Sequence, residues 1–167
     1  GLSVMPVKPD VSAYRVEKFR SHATITLSSG ESVEGCFFLS PLSAHVPGPE
    51  TVGELLNGEP GFFPFELHGS DAPRTVLLNR AQVLTVALAG PEARQVPGYD
   101  VARRYLVAIG LPSGPRVMGE VRVYGAAGHD RLSDWTRAPE PFRYVECDQG
   151  TLLVNIKHVL DVSEAPQ

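Results

Sequence analysis

The chain is poor in the residues that usually announce a function. Its 167 residues include two cysteines, two methionines and one tryptophan. Cys36 and Cys147 belong to no Cys-x-x-Cys pair, which excludes a dithiol redox motif and the paired-cysteine zinc modules. Two widely separated thiols make no disulfide framework; they read as buried free thiols of a reducing, cytoplasmic compartment. No apolar run approaches the ~18 residues of a membrane-spanning helix, so no membrane partner is expected. The N-terminal GLSVMPVKPD lacks the apolar core of a secretory signal. Nucleophile elbow, phosphate loop, His-Glu-x-x-His and zinc spacing are all missing, and the acids scatter. No catalytic residue, cofactor or metal ion is therefore assigned. A net charge of −4 gives no long-range attraction for a phosphate backbone. The 43% hydrophobic content is that of an ordinary globular chain.

What is present is repetition. Gly30 and Gly35 in SSGESVEG recur 84 residues on as Gly114 and Gly119 in PSGPRVMG. Ile25, Leu27 and Val33 match Ile109, Leu111 and Val117 at the same offset. Phe62 and Glu66 match Phe142 and Glu146 at an offset of 80, and TVLLNRAQVLTV matches TLLVNIKHVLDV at 76. The offset drops by 4 twice, both times in loop-like sequence. The period exceeds the roughly 20–50 residues of a solenoid unit, so each copy reads as a domain. A domain of about 75 residues buries only around 60% of its unfolded surface, so the copies are expected to share an interface with each other or with other chains.

Residues 1–15 read as a tail, 16–89 as copy one, 90–99 as a linker rich in proline and glycine, and 100–167 as copy two. Ala23, Ile25 and Leu27 alternate with Thr24 and Thr26, the period of a half-buried strand. A turn at Ser28–Glu31 leads to a second strand carrying Gly35, where a bend or close approach is expected. Glu50–Asn57 reads as a short helix, followed by strands at Phe62–Leu67, Arg74–Asn79 and Val83–Leu88, the last two separated by a single 3₁₀ turn at Arg80–Gln82. Copy two repeats this order, with strands near 104–111, 116–124, 141–147, 151–155 and 158–163. The fold class is thus mainly β: two tandem five-stranded barrels, each with a short helix between strands two and three.

The order of elements in ITLSSGESVEGCFFL, LLNRAQVLTV and LVNIKHVLDV resembles the Sm-like fold, an SH3-like small barrel. That resemblance implies non-catalytic assembly through strand edges, with RNA as a possible ligand class. The residues depart from the family's RNA contacts. SPLSAHVPGPE and YGAAGHDRLS lack the expected Asn and a matching aromatic, and the Arg-Gly pair of the second motif is replaced by Asn79-Arg80 and Asn155-Ile156. Arg15, Lys18, Arg20, Arg103 and Arg104 lie among acids and read as a solvated face. Phe62 and Phe142 read as core residues rather than as a base-stacking platform.

Two equivalent pairs remain as candidate contacts. Asn79 and Asn155 each end a strand at a one-turn break, where an amide caps exposed backbone; the alternative is contact with a ligand or partner. His45 and His129 are the histidines that pair across the copies, as loop residues or as ligands. Cys36 and Phe38 lie on the outward face of the second strand and form a candidate interface. The function expected is a binding or assembly module that holds a protein partner or its own copies. An RNA-binding protein with altered base contacts and an enzyme with a site between the barrels are the alternatives.

Overall fold

The structure, a computed structural model, describes residues 17–166; the tail at residues 1–15 lies outside the described residues. The chain is mainly β. Ten strands follow in order: β1 Phe19–Leu27, β2 Ser32–Leu39, β3 Phe62–Leu67, β4 Arg74–Asn79, β5 Val83–Leu88, β6 Arg103–Gly110, β7 Val117–Val123, β8 Phe142–Cys147, β9 Gly150–Asn155 and β10 Asp161–Glu164. Among the described residues two short helices, α1 Val52–Gly58 and α2 Leu132–Arg137, follow β2 and β7. Thr51 starts α1 by accepting a hydrogen bond at its hydroxyl from the Glu54 N–H, 3.1 Å away. Among the described residues no helix is long and apolar enough to cross a membrane.

Separate barrels are expected from the sequence, but the strands form one antiparallel sheet in the order β10-β6-β7-β8-β9-β5-β1-β2-β3-β4. The reason lies in β5, which pairs with β1 on one edge and with β9 on the other. Pairing partners recur at the offsets of the sequence match. Ile25 faces Val33 and Val86, and Ile109 faces Val117 and Val162. Phe62 faces Asn79, and Phe142 faces Asn155.

Two apolar cores lie along the sheet. The first is built on Ile25, Phe37, Phe63 and Phe65 with Val52 and Leu56 of α1. The second is built on Val107, Ile109, Val121 and Val145 with Trp135 of α2. Phe142 and Leu153, from the second half of the chain, pack into the first core. The expected linker is folded into two 3₁₀ turns, Glu92–Gln95 and Tyr99–Val101.

Gly30 and Gly114 turn with φ of 89° and 80°, a region closed to most side chains. Gly35 has a different reason. A Cβ there would sit 1.8 Å from the Glu66 carbonyl oxygen on β3, so β2 and β3 approach closer than any side chain permits. At Gly119 the equivalent oxygen, of Glu146, would be 2.7 Å away.

Candidate functional site

The β5–β9 seam is the most fully built contact between the two halves. Thr85, Val86 and Ala87 face Val154, Leu153 and Leu152. The Asn155 amide donates to the Val83 carbonyl at 2.9 Å and accepts from the Lys157 N–H at 3.1 Å. Asn57, at the end of α1, pairs with the Phe142 backbone, donating to its carbonyl at 3.0 Å and accepting from its N–H at 2.8 Å. Glu92 accepts from the Val52 and Gly53 N–H groups at 3.0 and 2.9 Å, so its carboxylate serves the otherwise unpaired first turn of α1. The Tyr144 hydroxyl donates to the same carboxylate at 2.5 Å. Burial and the Glu92 charge hold that phenol well above the ordinary tyrosine range.

The two outer edges are unpaired among the described residues: β4 pairs only with β3, and β10 only with β6. Apolar residues on or next to these edges stand open. Phe62 is 63% exposed, Leu77 67% and Leu160 68%. Their sequence equivalents Phe142, Leu153 and Leu84 are buried at 3%, 0% and 1%. Phe62 is therefore not the core residue expected from its match with Phe142. The difference is a neighbour: Phe142 packs into the first core beside the seam, and among the described residues nothing covers Phe62.

Asn79 and Asn155 both cap the one-turn break that follows them. The Asn79 carbonyl oxygen accepts from the Ala81 N–H at 3.1 Å. Asn155 also bonds across the seam, and at 2% exposure it is fully enclosed. His45 and His129 are exposed in loops. His129 borders a cleft of about 490 Å3 between the linker and the second half, walled by Tyr99, Arg122, Trp135 and Glu146. The charges in that wall pair with one another, although among the described residues Arg122 Nε has no hydrogen-bond partner and lies 3.7 Å from Glu146 Oε1. The Tyr99 hydroxyl donates to Glu146 at 2.6 Å, and the Arg122 guanidinium lies 3.6 Å from the Tyr99 ring centre and 3.2 Å from Glu120. Arg143, also in this wall, is turned to the carbonyls of Trp135, Ala138 and Glu140, where it serves the end of α2.

Cys36 and Phe38 are less open than an apolar patch on the outward face of β2. Arg20 lies 5.6 Å from the Phe38 ring centre. Cys36 is 1% exposed beneath His22, His68 and Glu66. Burial first, and then the Glu66 charge, push the Cys36 thiol up, with Arg20 opposing; a thiol so held is not poised as a nucleophile. The Glu66 carboxyl is held below the ordinary range by hydrogen bonds from His68 and Arg20. Sequence reasoning missed His22 and His68, because neither repeats and 46 residues separate them. The available signal was strand alternation, which puts Glu66 and His68 on one side. Against known proteins, the chain matches no family model, no curated protein and no solved structure.

Proposed function

We propose that this chain is a non-catalytic assembly module, a tandem duplication of a small Sm-like or SH3-like barrel that joins its own copies through strand edges. One observation carries the reading. Exposed apolar residues on or next to the outer strands, Leu77 on β4, Phe62 opposite β4 on β3 and Leu160 just before β10, are the sequence equivalents of residues buried at or beside the β5–β9 seam. The seam is then the template for a contact between chains. Applying its register at the repeat offsets sets β10 of one chain against β4 of the next, with Val162 opposite Leu77 and Asp161 opposite Leu78. Asn79 then meets the carbonyl of Val159, as Asn155 meets that of Val83. Such a contact is heterologous, so repetition gives a ring or a filament according to the angle between units.

The magnitude favours a reversible contact. Full burial of a large apolar side chain contributes roughly 1.5–3 kcal/mol. Phe62, Leu77 and Leu160 are each about two-thirds exposed, so together they supply on the order of 3–6 kcal/mol. The backbone ladder adds to this, against an association cost of about 4–15 kcal/mol. Assembly in the micromolar range or above is expected, with dissociation on dilution.

Light scattering with edge-blocked variants tests this. The parent should exceed the chain mass of 18.0 kDa as concentration rises. Leu77→Lys and Leu160→Lys, each blocking one edge, should be monomeric alone. An equimolar mixture should stop at a dimer containing one of each, because one free β4 and one free β10 remain. A parent that stays at the monomer mass, or a doubly blocked chain that still assembles, overturns the reading.

A further inference from the structure

The outer face of β1–β3 carries a set of metal-type donors that neither the cores nor the edges use. His22 on β1 stands opposite Cys36 on β2, and Cys36 stands opposite Glu66 on β3. His68 follows Glu66 by two residues, and a strand returns to the same face every second residue. The result is convergence. Cys36 Sγ lies 3.4 Å from His22 Nδ1 and 3.7 Å from His68 Nε2. Among the described residues, this is the set of three His, Cys or carboxylate donors whose ligating atoms all lie within 4.8 Å of one another.

These spacings are those of a coordination shell. With Zn–S about 2.3 Å and Zn–N about 2.0–2.1 Å, tetrahedral geometry puts sulfur and nitrogen roughly 3.6 Å apart. The observed 3.4 and 3.7 Å bracket that value. A thiol needs no such company, since its one weak donor serves one nitrogen. The fold does not demand it either: at the offsets of the sequence match, the second half carries Leu106, Glu120 and Asp148 in place of His22, Cys36 and His68.

We propose that His22, Cys36 and His68 bind one zinc-class divalent cation, with the fourth position left to solvent. Mixed thiolate and imidazole donors select such a metal over magnesium or calcium, which take oxygen. On binding, the Cys36 S–H bond gives way to a metal–sulfur bond and the proton leaves to solvent. Glu66 Oε1 is 3.0 Å from His68 Nε2; on binding, the metal takes that nitrogen and the imidazole proton moves to Nδ1. The Glu66 carboxylate, held by Arg20 at 3.0 Å, remains a neighbouring negative charge beside the site. His22 and His68 are exposed, so the ion reaches the imidazole side of the set from solvent. The ion would tie β1, β2 and the end of β3 together.

The test uses the full metal-free chain, in the parent form and in the doubly edge-blocked form, so that a failure of assembly leaves it intact. Zinc is titrated against a chromophoric chelator, and cobalt(II) is followed by absorption. One Zn2+ per chain is expected, with a thiolate-to-cobalt charge-transfer band and tetrahedral visible bands. His22→Ala alters an exposed residue, so its zinc-free melt should match the parent; His68→Ala also loses the bond to Glu66, so its zinc-free melt should fall slightly and its zinc affinity is read at a temperature where it is folded. Each should weaken zinc binding by at least about 100-fold, the upper end of losses seen for outer-shell partners. Cys36→Ser should lose the charge-transfer band and Cys147→Ser should keep it. Absence of stoichiometric zinc binding, or binding that both histidine variants retain at full affinity, overturns the assignment.

Discussion

Asn79 and Asn155 offer an internal comparison, since the same residue stands at equivalent positions with and without a neighbour. In Asn155→Ala two hydrogen bonds vanish, one to the Val83 carbonyl and one from the Lys157 N–H. Val83 is fully buried, so its carbonyl loses that partner away from water. An unsatisfied buried group costs about 1–3 kcal/mol and an ordinary lost bond about 0.5–1.5 kcal/mol. The sum is about 1.5–4.5 kcal/mol. Asn79→Ala loses only the bond from the Ala81 N–H, at a half-buried position, for about 0.5–1.5 kcal/mol. At roughly 2–4 °C per kcal/mol for a chain of this size, Asn155→Ala should lower Tm by roughly 3–18 °C and Asn79→Ala by roughly 1–6 °C. Both melts are followed by circular dichroism in the doubly edge-blocked background, so that only folding is read. If the two variants melt within about 1 °C of each other, the seam hydrogen bond contributes nothing and the reasoning from it fails. Back in the unblocked chain, Asn79→Ala should also weaken association, because its free amide loses the Val159 carbonyl of the next chain.

Gly35→Ala should destabilise more than Gly119→Ala. The added carbon would lie 1.8 Å from a β3 carbonyl oxygen in one case and 2.7 Å in the other. Overpacking costs about 1–3 kcal/mol, and Gly35 should fall at or above the top of that range; equal Tm values for the two variants would refute the close-approach argument. Acid titration tests Glu66. Its carboxyl is lowered by hydrogen bonds from His68 and Arg20, so its contribution is present above the ordinary glutamate value, about 4.3, and is lost as pH falls through its lower folded value. Glu66→Gln should flatten the stability loss in that acid window, and an acid limb unchanged by the substitution would count against the triad of Arg20, Glu66 and His68.

Much of the local order was readable in the chain. Alternation in Ala23–Leu27, the turn glycines Gly30 and Gly114 and the 3₁₀ break at Arg80–Gln82 each follow from contacts within a few residues. The helices after β2 and β7 follow in the same way, from Thr51 capping α1 and from the spacing that buries Val52 and Trp135. Asn79 and Asn155 were legible as caps for that reason too. The seam was not. Whether β5 finds β9 depends on where two distant edges come to lie, and no periodicity encodes that. The same gap hid the fate of Phe62. Its match with Phe142 describes one local environment, yet a residue is buried only when something lies over it.

The sequence by itself determined the succession of strands along the chain, the turns and the absence of a recognised chemical motif, because these are set by neighbours and by residue type. The tertiary structure alone decided the pairing registers, that the ten strands share one sheet, that Asn57 and Glu92 reach across it, and that among the described residues the two outer edges are left open. It also decided that His22, Cys36 and His68 meet. Strand pairing places residues 14 and 46 positions apart side by side, and only the folded register selects which ones.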